Sequence, residues 1–393
     1  MQKLYVQSTL VFLFALHAID AWADDHRSTP IEPDPMGLVE TLPAEYPEHW
    51  LLVMDAAFFH MLSGKVIVLD ADADTLGKQY KGSMNASFIA SLAQSTTKPE
   101  FYIAETFYSR GVRGDRTDVV TIYDKSTLDV LGEVLLPGGK RASAMPQRYA
   151  LTLIDDDKLL LVYNFTPAQS ITVVSTETRS VVAEVAIPGC VLAYPTGDRG
   201  FTSMCSDGGL LSTQLNEDGT LDSQERVASF FDTDEDPVFE RPAIIDGIAY
   251  FPTFDGQVRP IDLNSNTARI MPEWSLVPEE EAEANWRPGG IAFTAKDDAG
   301  QLYVIMHPDG GEGTQNNGGT DVWVFDVENQ TRVHKFPLKE WGLSIEVTRG
   351  ENPLLVVTNG NFELEIYNSQ TGELIRTLGG FGQETPFLVR GAQ

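Results

Sequence analysis

Three arginines, Arg110, Arg113 and Arg116, fall within seven residues of AETFYSRGVRGDRTDVV (104–120). A guanidinium forks onto carboxylates, and glycines such as Gly111 and Gly114 let a loop fold back tightly. The cluster stands out because the chain holds only 28 Lys+Arg against 57 Asp+Glu. Two roles stay open: internal ion pairing that fixes the loop, or docking onto a partner's carboxylates. The two cysteines, Cys190 and Cys205, flank the turn PTGDRG. An even pair at short spacing in an exported chain suggests one disulfide rather than two buried thiols.

Other chemistry is hard to assemble. His26, His49, His60, His307 and His334 form no pair at metal-ligand spacing, so no metal site is expected. There is no Cys-x-x-Cys-His, no Gly-x-Ser-x-Gly elbow, no phosphate loop and no dinucleotide fingerprint. DTDEDP (232–237) spaces acids like the start of a calcium loop but lacks its glycine and distal glutamate, which favours a solvated acidic loop. No catalytic residue is assigned to this chain. Two stretches keep a binding role open. MHPDGGEGTQNNGGTDVWVFD (306–326) is a long glycine-rich loop between strands, either functional or a surface tip. VMDAAFFHML (53–62) places Phe58 and Phe59 beside His60, as core aromatics or as an apolar lip.

These residues need a scaffold outside the cytoplasm. Lys3, the apolar run 10–19 and Ala21-Trp22-Ala23 predict a cleavable signal peptide over 1–23. No later run is apolar enough to span a membrane. The net charge of -29 argues against nucleic acid as a partner. Residues 24–47, rich in Pro, Asp and Glu, predict a flexible N-terminal arm. From 48 to 393 one phrase returns: a β-rich run, a turn, a second β-rich run. The turns are anchored at Asp70, Asp124, Ser175, Leu215, Asp262, Asp326 and Asn368, spaced by roughly 50 residues, a propeller-blade period. A second strand pair lies between successive copies. The expectation is an all-β fold, a seven-bladed β-propeller of four-stranded antiparallel blades. PEEEAEANW (278–286) is the one candidate for a short helix.

AETFYSRGVRGDRTDVVTIYD, GCVLAYPTGDRGFTSMCSDGGLL, NWRPGGIAF, LYVIMHPDGGEG and VWVFD together resemble the large (heavy) subunit of quinoprotein amine dehydrogenases, the methylamine dehydrogenase heavy chain family. VMDAAFFH, DGGLLSTQLNEDG and MHPDGGEGT are most similar to the aromatic amine dehydrogenase branch. The resemblance runs from about Trp50 to Gly379. It implies a periplasmic propeller in an α2β2 heterotetramer with a small, disulfide-rich light subunit. That light subunit carries tryptophan tryptophylquinone and the catalytic base. The implied complex oxidises a primary amine to aldehyde and ammonia and passes electrons to a blue copper protein of the azurin or amicyanin type. The family's large subunit supplies an apolar residue at the substrate entrance, which falls here on Phe58 or Phe59. Family members often carry His-Lys after the GT of the long loop, whereas this chain has Gln315-Asn316. The competing expectation is a non-enzymatic propeller acting as scaffold or ligand-binding protein.

Overall fold

One hydrogen-bond pattern makes the repeated turn. Side-chain oxygens of Asp70, Asp124, Asp262, Asp326 and Asn368 accept from backbone N–H groups two or three residues on, at 2.8–3.0 Å. Short polar side chains mimic a backbone turn in this way, which explains their recurrence at these positions. Near Leu215 the same service falls to Asp218, which accepts from Thr220 N at 3.0 Å.

The computed structural model describes residues 41–393 apart from 59, 143–146 and 383–384. The expected signal peptide (1–23), residues 24–40 of the expected arm, and Phe59 lie outside the described residues. Within the arm, Leu42 N donates to Ser126 O at 2.8 Å, and Tyr46 is buried with its hydroxyl on Lys125 O.

The chain is all-β, and five of its sheets follow a path of four antiparallel strands. Sheet 1 runs Pro386–Gly391, Trp50–Ala56, Gly64–Asp70, Tyr80–Ala86. Sheet 2 runs Ser91–Gln94, Glu100–Tyr108, Arg116–Asp124, Val130–Leu136. Sheet 3 runs Leu151–Ile154, Leu159–Asn164, Ser170–Ser175, Ser180–Ala186. Sheet 4 runs Cys190–Thr196, Gly200–Cys205, Leu210–Leu215, Leu221–Val227. Sheet 5 runs Ala243–Ile245, Ile248–Pro252, Gln257–Asp262, Arg269–Ile270, with Trp274–Ser275 also paired to its third strand.

The expectation of seven four-stranded blades is corrected here. Besides the five four-stranded paths there is one continuous eight-stranded sheet, sheet 6, between Arg287–Pro288 and Leu374–Leu378. Its cause is the 17-residue strand Thr331–Val347. The first part of that strand pairs with Gly319–Asp326 and the last part with Leu354–Asn359, so the ladder is unbroken. Counting hairpin phrases treats each as a separate sheet and cannot see one strand shared by two neighbours. The expected helix is a 3-10 helix, Glu279–Ala284, ended by Asn285 in the left-handed region at φ 46°.

Burial falls from the inner strands of a sheet to its outer edge. Trp50–Ala56 is buried at every position, because neighbouring sheets cover both its faces. The outer strand Leu221–Val227 is exposed at all but its last residue and reads as polar, LDSQERV. First strands of neighbouring sheets pack on one another between sheets 2 and 3, 3 and 4, and 5 and 6. The ring closes where Pro386–Gly391 pairs with Trp50–Ala56.

Neighbouring sheets are pinned at their turns. Asp157, after the first strand of sheet 3, accepts from Ser95 Oγ at 2.8 Å, Thr96 N at 2.6 Å and Thr97 N at 3.0 Å, all in sheet 2's first turn. Burial works to raise the Asp157 carboxyl, but these hydrogen bonds together outweigh it and hold it below the usual aspartate range. A depressed folded pKa contributes stability above the unfolded pKa and loses it as pH falls through the folded one. Asp157→Asn is expected to cost about 1–3 kcal/mol at neutral pH. The gap to wild type should close on acidification through that window, as chemical denaturation at several pH values will read; a gap that stays constant with pH contradicts the assignment.

Candidate functional site

Antiparallel alternation sends the loops between second and third strands, and the links between sheets, to the same face of the ring. That face collects every stretch singled out by residue chemistry. The loop 57–63 of sheet 1 lies beside the loop 109–115 of sheet 2, where a Cβ on Gly111 would stand 2.8 Å from Leu62 Cδ2. Gly111 itself has φ 75°, a conformation that favours glycine.

Phe58 follows the end of Trp50–Ala56 and is half-buried. Its ring meets Phe88 edge-on at 4.9 Å and Phe387 at 5.0 Å, centroid to centroid. Phe88 comes from the link between sheets 1 and 2, and Phe387 from the strand that closes the ring. Phe58 is thus half-buried and packed against a core cluster that includes Phe387. The same face carries exposed apolar side chains: Met61 and Leu62 are each 54% exposed, Val112 56%, Phe165 55% and Trp341 48%. Isolated exposed apolar residues are ordinary, but a run of them along one face suits a partner.

The arginine cluster divides. Arg116 Nε pairs with Asp118 Oδ1 at 2.9 Å, and its Nη2 donates to Arg141 O at 2.6 Å. Asp118 is buried and also accepts from Thr106 Oγ1 at 2.7 Å and Arg141 N at 3.2 Å. Arg116 is therefore an internal brace. Arg110 and Arg113 are exposed in the loop, joined only through backbone, Arg110 N to Arg113 O at 2.9 Å. Neither makes an ion pair among the described residues, so both cations are presented to the surface. The buried Arg141 beneath them, with Nε on Thr106 Oγ1 at 3.1 Å, was not singled out by sequence. Nothing in GGKRAS marks it, because its partners come from sheet 2's other strands.

Cys190 and Cys205 are register partners on adjacent strands of sheet 4 and are joined by a disulfide. The glycine-rich loop is held rather than loose. Asp309 N and Gly310 N donate to Ala284 O and Asn285 O at 2.9 and 2.8 Å, and Thr314 closes onto Gly311. Gly318 lies against the Trp341 ring, leaving Gln315 and Asn316 exposed at the tip of the same face. In DTDEDP, Asp232 Oδ1 caps Asp234 N and Glu235 N at 2.9 and 3.1 Å. Among the described residues no group of three or more His, Cys, Asp or Glu has metal-holding geometry. No helix among them is long and apolar enough to cross a membrane.

The tryptophans matter because a quinone derived from tryptophan is implied. Trp286 and Trp323 lie 5.0 Å apart between centroids. Both are buried, and Arg332 and Lys335 cover them at 4.3–4.8 Å while pairing with Glu281. A sealed cation–π stack leaves no room for an amine to reach either indole. These two tryptophans do not fit a redox cofactor site.

A ring of antiparallel sheets closed on itself, with loops gathered at a face, defines a β-propeller. The family model for the methylamine dehydrogenase heavy chain (MADH) matches residues 49–390, and the chain belongs to this family. It is similar to the methylamine dehydrogenase heavy chain of Methylobacillus flagellatus, 26% identical over 82% of this chain and 79% of that one. The heavy chain of Methylorubrum extorquens is 25% identical over 79% of this chain and 76% of that one. Among solved structures, a functionally unknown protein from Desulfotomaculum acetoxidans superposes with TM-score 0.59 at 12% identity, over 88% of this chain and 100% of that one. Dihydro-heme d1 dehydrogenase gives TM-score 0.54 at 15% identity, over 86% and 64%. At these identities the structural likeness concerns the fold.

Two expectations follow. Arg116→Ala should cost about 1–3 kcal/mol by stranding buried Asp118, whereas Arg110→Ala and Arg113→Ala should stay within about 0.5 kcal/mol. Urea denaturation of the three variants checks the contrast. Separately, Cys190→Ser should cost about 3 kcal/mol in the chain-entropy model. Non-reducing peptide mapping should recover the 190–205 linkage; two alkylatable thiols would refute it.

Proposed function

We propose that this chain is the large subunit of a periplasmic, tryptophan tryptophylquinone-dependent amine dehydrogenase that oxidises primary amines, preferably aromatic ones, to aldehyde and ammonia. The observation that carries the reading is the family match across residues 49–390, which spans all six sheets. The quinone sits on a small, disulfide-rich light subunit and supplies the redox chemistry; a blue copper protein takes the electrons. In this division of labour the propeller binds, orients and excludes water. The light subunit docks on the face bearing Phe58, Leu62, Val112 and Trp341 in an α2β2 assembly. Arg110 and Arg113 reach its carboxylates from the rim, where charge governs encounter rate and salt sensitivity.

Phe58, and Phe59 beside it, line the substrate entrance. The preference for aromatic amines rests on the AAFF stretch and on the anchored Phe58 ring, since each buried methylene of a substrate contributes about 0.8 kcal/mol against an apolar lip. Discrimination resting on one or two such groups stays modest.

Purified large subunit alone should not oxidise amines, and adding light subunit should restore dye-linked activity. With the complex, kcat/KM profiles for tyramine, phenylethylamine and methylamine should shift in Phe58→Ala or Phe59→Ala while the quinone absorbance is unchanged. Turnover by the large subunit alone overturns the assignment. A wild-type preference for methylamine overturns the aromatic reading only, and identical profiles in all three proteins remove both phenylalanines from the entrance.

A further inference from the structure

Between sheets 3 and 4, on a part of the loop-bearing face that carries none of Phe58, Leu62, Val112 and Trp341, lies a cavity of about 560 Å³. That volume is in the range of sites for small organic molecules. Buried Leu192, Met204 and Phe231 line it, and exposed Phe165 supplies a ring that a ligand would cover. The strand Cys190–Thr196 is bulged at this wall. Val191 pairs with Met204 and Tyr194 with Thr202, so Leu192 and Ala193 together stand opposite Ser203. Leu192 takes φ 62°, rare for leucine, and Ser203 Oγ holds it by donating to Leu192 O at 2.6 Å. Bulges and held backbone of this kind recur beside binding sites, where they re-aim side chains.

Charge and polarity narrow the ligand. No lysine or arginine lines the cavity among the described residues. Its one lining carboxylate, Glu240, is engaged: Oε1 accepts from Gln147 Nε2 at 2.8 Å and pairs with Arg241 Nε at 3.5 Å. The walls therefore offer no unmatched charge to an ion. One polar group is left over. Tyr163 lines the cavity, is only 4% exposed, and its hydroxyl is buried without a hydrogen-bond partner among the described residues. A buried hydroxyl left unpaired carries its full desolvation cost, which an acceptor on a ligand would recover. Burial pushes this hydroxyl up to about 12, so it stays protonated and can donate at neutral pH.

We propose that this cavity binds a small neutral aromatic molecule of one or two rings carrying a carbonyl, with its rings among Leu192, Met204 and Phe231 and its oxygen accepting from Tyr163 Oη. Aromatic rings gain from edge and offset contacts with Phe231 and from the thioether of Met204. This site is independent of the amine chemistry at Phe58.

Fluorescence titration of the full large subunit, in its complex, with the neutral naphthyl ketone Prodan tests this. One saturable site per large subunit is expected. Prodan is then displaced by 2-acetylnaphthalene, by 2-ethylnaphthalene, which lacks the carbonyl, and by cationic 2-naphthylmethylamine. The ketone should bind about fivefold more tightly than the hydrocarbon, the worth of one hydrogen bond. Tyr163→Phe should erase that difference by weakening the ketone alone, and Val191→Trp should fill the cavity and abolish binding of both. Absence of saturable Prodan binding overturns the proposal, as does a ketone affinity unchanged in Tyr163→Phe. Tighter binding of the cationic amine than of the ketone overturns the neutral class. If Val191→Trp does not fold, the contrast between ketone and hydrocarbon in Tyr163→Phe decides the matter, because that change removes only the hydroxyl.

Discussion

Pairing of Pro386–Gly391 with Trp50–Ala56 joins the two ends of the described chain, and the other sheets depend on it. Without that strand, sheet 1 would show an open edge at the axis, and its neighbours would lose the wall against which they pack. The same strand supplies Phe387 to the ring cluster that seats Phe58, and Arg390, which donates to Arg148 O. Closure therefore sets the geometry of both faces at once.

The axis shows how closure is locked from within. Arg148, from the link between sheets 2 and 3, reaches carbonyls of sheet 6 and of the closing strand. A backbone carbonyl is a neutral acceptor, so these bonds brace the ring without adding countercharge. A buried ion pair such as Arg148–Glu346 is a weak source of net stability. Its cost is tolerable in a fold whose stability rests on large apolar clusters between sheets, such as the one joining Leu161, Tyr194, Phe201 and Phe251.

The two faces divide the labour. One carries exposed apolar side chains and a pair of exposed arginines on loops held by short hydrogen bonds. The other carries polar turns and the aspartate pins. Glycines matter at a few close approaches only: Gly318 and Gly360 sit against the Trp341 ring, where a Cβ would fall 2.2–2.3 Å from it. That contact ties the glycine-rich loop of sheet 6 to the face it shares with Phe58.

What the sequence determined by itself is local. β-rich runs, the Asp and Asn turn anchors and the facing cysteines were legible because each depends on residues close together in the chain. So was family membership, carried by long motifs such as AETFYSRGVRGDR. The number of separate sheets was not, because Thr331–Val347 belongs to two ladders and nothing local marks the transition. Nor could the sequence divide the arginine cluster: Arg116 turns inward because Asp118 and Arg141 are buried beside it, while Arg110 and Arg113 are exposed. Arg148, Glu346 and Arg390 come from separate elements and meet only once the ring closes. Long-range electrostatics of this kind is a property of the tertiary arrangement, since it requires charges from distant segments to lose water in the same place.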